Sequence, residues 1–466
     1  MSHFILVDFG STFTKVAVVS PENQEIIFTT KEPSTVKTDA CLALESCLER
    51  VRQRIGNDQL LRASRLACSS AAGGLRMIVV GLTPSLSMLA GKNAALGAGS
   101  RVMNAYSYKL SDQDIKEIAT VMPEIILLCG GIDGGNKYWP LENAKKIATN
   151  PLIQAPVVFA GNNDISSEVK RIFNSYDKEC LTVKNILPDL GDLVADPAAE
   201  AIRNIFMRRI VNMKGLDKAR QMVGEIIMPT PAAVLTAGKL LSTGTEEETG
   251  LGNILVFDVG GATTDVYSFC LAKTSASIKT VGAPEPFAKR TVEGDLGLRS
   301  SALSLAEAIG WQQLTAESKV AQPQLKRSVE LRTEQEYYLA KSDEESLIDY
   351  CLTSGAIFLS SRRHAGRRMT AYFGGSQEMQ KGKDLTGIEL VIGTGGPIIN
   401  SPRPVSILKA ALRHPDETDL LLPSNAQYFI DRQYIIYATG LLSRVDPQNA
   451  LAILKNNLEE AKDQEI

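Results

Sequence analysis

Apolar positions in this chain fall in short runs separated by glycine-bearing turns or by helix-length stretches. Phe4–Val7 and Val16–Ser20 are β-rich runs on either side of a Gly/Ser/Thr turn, which predicts a hairpin, and a helix is expected over Asp39–Arg54. From about residue 64 the rhythm alternates: Ile78–Gly81, a helix near Ser85–Leu96, then Ile125–Cys129, Val157–Ala160 and Leu181–Ile186. Short continuous apolar runs spaced by helices predict βαβ units around a buried parallel sheet, so 64–190 reads as an inserted α/β module. Residues 196–222 and Pro229–Leu241 have helical patterns, and the polar stretch Ser242–Asn253 reads as a linker. Ile254–Phe257 is a strand entering a second glycine turn, helices dominate 296–365, a loop rich in Arg and Gly fills 362–383, and Glu389–Ile392 is a last buried strand. Asp446–Ile466 is expected to be a charged, partly exposed helix.

Composition narrows the class. With 466 residues, 44% hydrophobic content and a formal net charge of −3, the chain is not disordered, and no global field directs it to nucleic acid or to a membrane surface. Length alone suggests two or three packed units. The seven cysteines form no CxxC pair, and only three histidines accompany them, so a zinc centre is not expected. An odd number of thiols implies reduced, buried cysteines and a cytoplasmic setting. Asp8 interrupts the N-terminal apolar run, which therefore reads as a strand and not a signal peptide, and no apolar stretch is long enough to span a bilayer.

Candidate chemistry lies in three turns. In the first, an apolar strand delivers Asp8, followed by Gly10, Ser11, Thr12, Thr14 and Lys15. Small residues let a ligand approach the backbone, whose amides can form an anion-binding concavity, and the carboxylate suits Mg²⁺. The second repeats the device 250 positions later: Asp258 follows four β-formers and precedes Gly260, Gly261, Thr263, Thr264 and Asp265. A single such hairpin is common as a plain connection; two copies point to phosphate binding. The third turn, Gly393-Thr394-Gly395-Gly396-Pro397, could pass close to an adenosine ring, although such turns also serve simple helix starts.

The order of these turns resembles the actin, heat-shock chaperone and sugar kinase superfamily. So do Pro229-Thr230-Pro231-Ala232-Ala233-Val234 and Ile436-Tyr437-Ala438-Thr439-Gly440-Leu441, which are similar to its two connecting helices. The resemblance implies an α/β fold of two ribonuclease-H-like lobes around a nucleotide cleft, with the α/β insertion in the first lobe. Expected bounds are 1–241 for the first lobe, 242–445 for the second and 446–466 for a helical tail. Within the superfamily, CSSAAGGLRMIVVGL (68–82), ILLCGGIDGGN (126–136), RTVEGDLGLRSSA (290–302) and RHAG…GKDLTGIELVIGTGG (363–396) resemble the MutL family associated with coenzyme-B12-dependent glutamate mutase.

That resemblance implies an ATP- and Mg²⁺-dependent accessory protein, a reactivating chaperone for a B12-dependent mutase. Asp8 and Asp258 would hold Mg²⁺ through water, and Asp265 would orient the second turn or the metal. Thr12, Thr14, Thr263 and Thr264 would donate to phosphate oxygens, while Lys15 would neutralise phosphate charge. Asp258 is the candidate general base, or else only a metal ligand. A small-molecule kinase on the same fold and a nucleotide-gated scaffold without turnover are the competing functions. Three further features have open readings. Gly130–Asn136 is either an anion or partner loop or a tight connection; Glu293–Gly297 either reaches the nucleotide or partner or starts a helix; Arg362, Arg363, Arg367 and Arg368 with His364 form a solvated basic face or a contact site.

Overall fold

The computed structural model describes residues 3–10, 12–36, 38–70, 75–210, 218, 222–224, 226–271, 278–335, 338–372 and 376–464. The chain forms two compact units: unit 1 is 1–237, 281–286 and 437–453, and unit 2 is 238–280, 287–436 and 454–466.

Unit 1 opens with β1 (Phe4–Phe9), β2 (Phe13–Ser20), β3 (Glu25–Pro33) and β4 (Ser64–Ser69). Then come β5 (Arg76–Val80), β6 (Arg101–Tyr106), β7 (Ile125–Leu128), β8 (Val157–Phe159), β9 (Cys180–Thr182) and β10 (Ile226–Pro229). The first sheet has the order β10-β4-β1-β2-β3, and β2 alone runs against the others. Its apolar face (Ile5, Val7, Phe9, Val16, Val18) packs on Leu44, Cys47 and Val51 of helix Ala40–Ile55, which Asp39 caps by accepting from the Cys41 amide.

The inserted module is a five-stranded sheet of order β6-β5-β7-β8-β9, parallel throughout. Its inner strands β5, β7 and β8 are almost wholly apolar because both faces are covered: Met77, Val79, Ile125 and Leu127 join one core, Ile78, Val80, Ile126 and Leu128 another. The lower bound of the insertion is corrected. β4 pairs with β1 in the first sheet, so the module's sheet starts at Arg76 and not near 64. Helix Asp196–Ile210 occupies the start of the expected 196–222 helix; 211–217 and 219–221 lie outside the described residues.

Unit 2 contains β11 (Ile254–Val259), β12 (Thr264–Phe269), β13 (Lys279–Val281) and β14 (Ala288–Glu293). β15 (Arg367–Tyr372), β16 (Ser376–Lys381), β17 (Leu390–Thr394), β18 (Gln427–Ile430) and β19 (Glu459–Glu460) follow. The main sheet has the order β14-β12-β11-β17-β18-β19. β12 is antiparallel to both neighbours, while β11, β17 and β18 are parallel. Numbered within each unit, both sheets therefore run 3-2-1-4-5 with only the second strand reversed, the ribonuclease-H-like topology. β19 adds an antiparallel edge to unit 2.

Two more readings of the sequence change. The stretch 362–383 is not a loop, because β15 and β16 pair there as an antiparallel hairpin. The C-terminal stretch is not an exposed tail either: in helix Pro447–Asn457, Ala450, Leu451, Ile453 and Leu454 are buried, and β19 joins the sheet. Five consecutive buried apolar residues, 450–454, outweigh the charged ends.

Candidate functional site

In unit 1 the first turn is closed by the Gly10 amide donating to the Phe13 carbonyl at 3.1 Å. A Cβ on Gly10 would lie 2.4 Å from that oxygen, so the turn accepts no side chain there. Its carbonyls are held from behind: Ser34 donates its amide to Thr12 (2.8 Å) and its hydroxyl to Gly10 (2.7 Å), and the Ser70 amide donates to Phe9 (3.0 Å). Carbonyl oxygens so occupied repel an approaching anion less.

Asp8 stands at the end of β1, opposite Lys15 in the pairing register, and is only 2% exposed. Its Oδ1 accepts from Thr230 Oγ1 at 2.5 Å and from Cys68 Sγ at 3.7 Å, and its Oδ2 lies 3.8 Å from Lys15 Nζ. Burial pushes the Asp8 carboxyl above its ordinary value, opposed by Lys15 and Thr230. Lys15 Nζ also sits 6.0 Å from the Tyr437 ring centroid. Thr12 is half-buried in the turn, and Ser11 lies outside the described residues. Thr14 is corrected: strand alternation sends it inward with Val16, fully buried, so it faces no phosphate.

Unit 2 repeats this hydrogen-bond closure, with the Gly260 amide donating to Thr263 O at 2.9 Å. The segment after β14 braces the turn. Leu298 and Arg299 amides donate to Gly260 O (3.1 Å) and Gly261 O (2.7 Å), and Ser301 Oγ donates to Ala262 O (2.8 Å). A Cβ on Gly297 would come within 2.3 Å of Ala262 C, which explains the glycine in GDLGLRSS. Sequence reasoning left this segment open; in the fold it supports the turn.

Asp258 is half-buried and faces Asp265 across the hairpin. Two carboxylates in register would repel, and the structure places a cation on one of them. Arg290 of β14 donates to Asp265 Oδ1 through Nε at 2.8 Å and approaches it through a terminal nitrogen at 2.6 Å, while Thr263 Oγ1 donates to Oδ2 at 3.1 Å. Asp265 is thus fixed as an orienting group of the turn. Thr264 is corrected like Thr14: it points inward, fully buried, and donates to Leu296 O at 2.6 Å. Thr264→Val is therefore expected to cost about 1–3 kcal/mol of stability by orphaning that carbonyl. Nucleotide affinity should stay within about twofold; thermal unfolding and a nucleotide titration check the two halves.

The third turn is also mostly structural. A Cβ on Gly393 would meet the Ile398 side chain at 2.7 Å, and Thr394 Oγ1 donates to Asp431 Oδ2 at 3.1 Å. Gly395 has φ +93° and passes so close to β11 that a Cβ would lie 2.2 Å from Val259 O. All three have packing roles, which do not bear on the expected adenosine contact, and Gly396 is half-buried at the start of a short helix. A Cβ there would lie 3.2 Å from the Tyr434 hydroxyl. Burial, then the Asp258 and Asp431 carboxylates, push the Tyr434 phenol upward, so Tyr434 stays neutral beside the second turn.

The remaining candidates disperse. Arg362 pairs with Glu417 (2.7 Å), Arg363 with Asp295 (2.7 Å) and Glu293 (2.9 Å), and Arg367 with Asp419 (2.7 Å), so the basic run is no common patch. His364 is fully buried between Thr291 and Ser268, and burial with Lys289 and Lys383 keeps it neutral. In the 130–136 loop, the Asp133 carboxylate is taken by Asn163 and Asn185 at 2.8–2.9 Å. All seven cysteines are free and buried. Among the described residues no three His, Cys, Asp or Glu groups cluster as a metal site, and no helix is long and apolar enough to cross a membrane.

A family model described as MutL protein matches residues 4–458. Protein MutL of Clostridium tetanomorphum is 41% identical over 460 residues, covering 98% of this chain and 99% of that protein. Among solved structures, gluconate kinase from Lactobacillus acidophilus aligns over 99% of this chain and 93% of its own, at 10% identity and a TM-score of 0.35. Ethanolamine utilization protein EutJ from Carboxydothermus hydrogenoformans aligns over 97% and 90%, at 9% identity and a TM-score of 0.31. At such scores the fold rests on the strand order alone. Near-complete coverage by the family model and by a relative of this identity decides the family: the chain belongs to the MutL protein family.

Proposed function

We propose that this protein binds ATP with Mg²⁺ on its two glycine turns and acts as an ATP-driven accessory protein, a reactivating chaperone for a coenzyme-B12-dependent glutamate mutase or a related aminomutase. The observation that carries the nucleotide reading is the repetition. Two hairpins close with the same amide-to-carbonyl bond, each preceded by an aspartate two residues before the first glycine. The family membership supports the partner class.

In this reading Gly10, Gly260 and Gly261 admit phosphate to the backbone, Thr12 offers its hydroxyl, and Thr263 would turn its own from Asp265 to phosphate. Lys15 offsets phosphate charge while restraining Asp8. Asp8 and Asp258 hold Mg²⁺ through water, and Asp265, neutralised by Arg290, keeps the second turn in shape. When bound, Mg²⁺ would supply positive charge against the phosphates. Asp258 is also the group assigned to orient or deprotonate an attacking water. Differential affinity of the partner for the ATP and ADP forms would drive remodelling.

Asp8→Ala and Asp258→Ala should each weaken Mg²⁺-dependent ATP binding on the order of 10–100-fold, the loss of one charge-assisted contact. Titration with ATP in the presence of MgCl₂, followed by phosphate release, measures this. Unchanged binding and turnover in both variants would end the nucleotide reading. A pull-down with ATP and then ADP tests the partner: recovery of a B12-dependent mutase that depends on the nucleotide supports the chaperone role, and its absence in both states removes it.

A further inference from the structure

Thr230 lies 222 residues from Asp8 in sequence, yet its hydroxyl donates to that carboxylate at 2.5 Å from Oδ1. The sheet register explains how. Asp8 of β1 stands beside Cys68 of β4, Cys68 stands beside Met228 of β10, and Thr230 follows directly where β10 turns into helix Thr230–Thr243. Thr230 Oγ1 is also 3.6 Å from Cys68 Sγ, so one carboxylate oxygen gathers a hydroxyl and a thiol from two neighbouring strand ends.

The helix that starts with Thr230 is unusual in where it goes. Its residues to Ala237 belong to unit 1 and those from Gly238 to unit 2. Its first turn is wedged. A Cβ on Gly99 would lie 2.9 Å from Pro229 Cβ, and one on Gly440 would lie 2.0 Å from Ala233 O. A short O–H···O⁻ bond at the end of a tightly packed helix transmits small displacements, because neither partner has slack to absorb them.

We propose that Thr230 is a positioning residue that holds the Asp8 carboxylate and links it to the helix shared by both units. This rests on the ATP reading given above. Ligand binding that shifts Asp8 must then break or carry the Thr230 bond, and the helix start moves or loosens with it.

The test uses the full chain, with MgATP as the probe, and reads backbone hydrogen exchange across 233–243 together with ATP affinity. In the natural protein MgATP should change exchange in this segment. Thr230→Val should remove that response and weaken MgATP about tenfold, whereas Thr230→Ser, which keeps the hydroxyl, should restore both to within about threefold. Thr230→Ala serves if the valine does not fold. A natural protein that binds MgATP without any change in 233–243 overturns the proposal while leaving the ATP reading intact. A valine variant that behaves as the natural protein, or a serine variant as defective as valine, does the same. A natural protein that binds no MgATP overturns both.

Discussion

Asp349→Ala should lower the unfolding midpoint of unit 2 on the order of 10 °C. Asp349 lies on helix Asp343–His364, with Oδ1 accepting from Arg332 Nε at 2.7 Å and Oδ2 accepting from an Arg299 terminal nitrogen at 3.2 Å. The Arg332 side chain is 0% exposed and that of Arg299 13%, so although Asp349 is itself 22% exposed, water replaces the lost carboxylate poorly. Removing one partner of a buried pair costs about 3–5 kcal/mol, because the other charge is left stranded. At about 2–4 °C per kcal/mol for a unit of this size, the shift follows. Arg332 keeps Ser328 and the Glu345 carbonyl, and Arg299 keeps the Tyr338 carbonyl, which limits the loss. Asp349→Asn, which retains an acceptor, should fall between. A thermal scan showing the alanine variant within 2 °C of the natural protein would contradict the pairing. Since the Arg299 amide braces Gly261, the same variant should also weaken ATP binding.

Gly440→Ala should be more damaging than its one added methyl suggests. The new Cβ would lie 2.0 Å from the carbonyl oxygen, 2.6 Å from the carbonyl carbon and 3.1 Å from the Cα of Ala233. All three atoms are backbone, so no rotamer change relieves the contact. Helix Ile436–Leu442 must move off helix Thr230–Thr243, opening a seam beside Ala233, Ala438 and Leu441, all fully buried. Alanine normally stabilises a helix by about 0.8–1 kcal/mol over glycine, so a net loss of about 3 kcal/mol would be a clear signature of overpacking. Gly97→Ala is the control. Gly97 ends a helix, and its nearest neighbour to a Cβ is the Leu235 side chain at 3.9 Å, so that variant should be neutral or slightly more stable. Equal unfolding midpoints for the two variants would refute the contact.

What the sequence made legible was local. The two hairpins stood out because four β-formers, an aspartate and a glycine bend sit together in the chain, and both formed with the expected pairing. The parallel sheet of the insertion was legible because strands covered on both faces are apolar without a break, as in β7. Errors came where a period or a distant partner decides. Thr14 and Thr264 looked like phosphate hydroxyls by composition, but the strand's alternation of two turns both inward, while Lys15 and Asp265 share the opposite face. Arg290 and Thr230 carried no signal near Asp265 and Asp8; each arrives through sheet register from 25 and 222 residues away. β15 and β16 escaped notice because RRMTAY and SQEMQK lack an apolar face. The final helix was misjudged because its charged ends hid Leu451, Ile453 and Leu454.

The chain passes between its units five times, after 237, 280, 286, 436 and 453. Biosynthesis is directional, so the earliest-made half must wait: 437–453, which supply the Tyr437 hydroxyl donated to Leu6 O, are added only after the whole of 238–436 has been translated. A nascent first half therefore carries uncovered apolar surface through most of its synthesis and is open to capture by general folding helpers. A gene split near 241 would separate partners that have to meet again, so co-expressed fragments rather than single ones are the sensible unit for dissection.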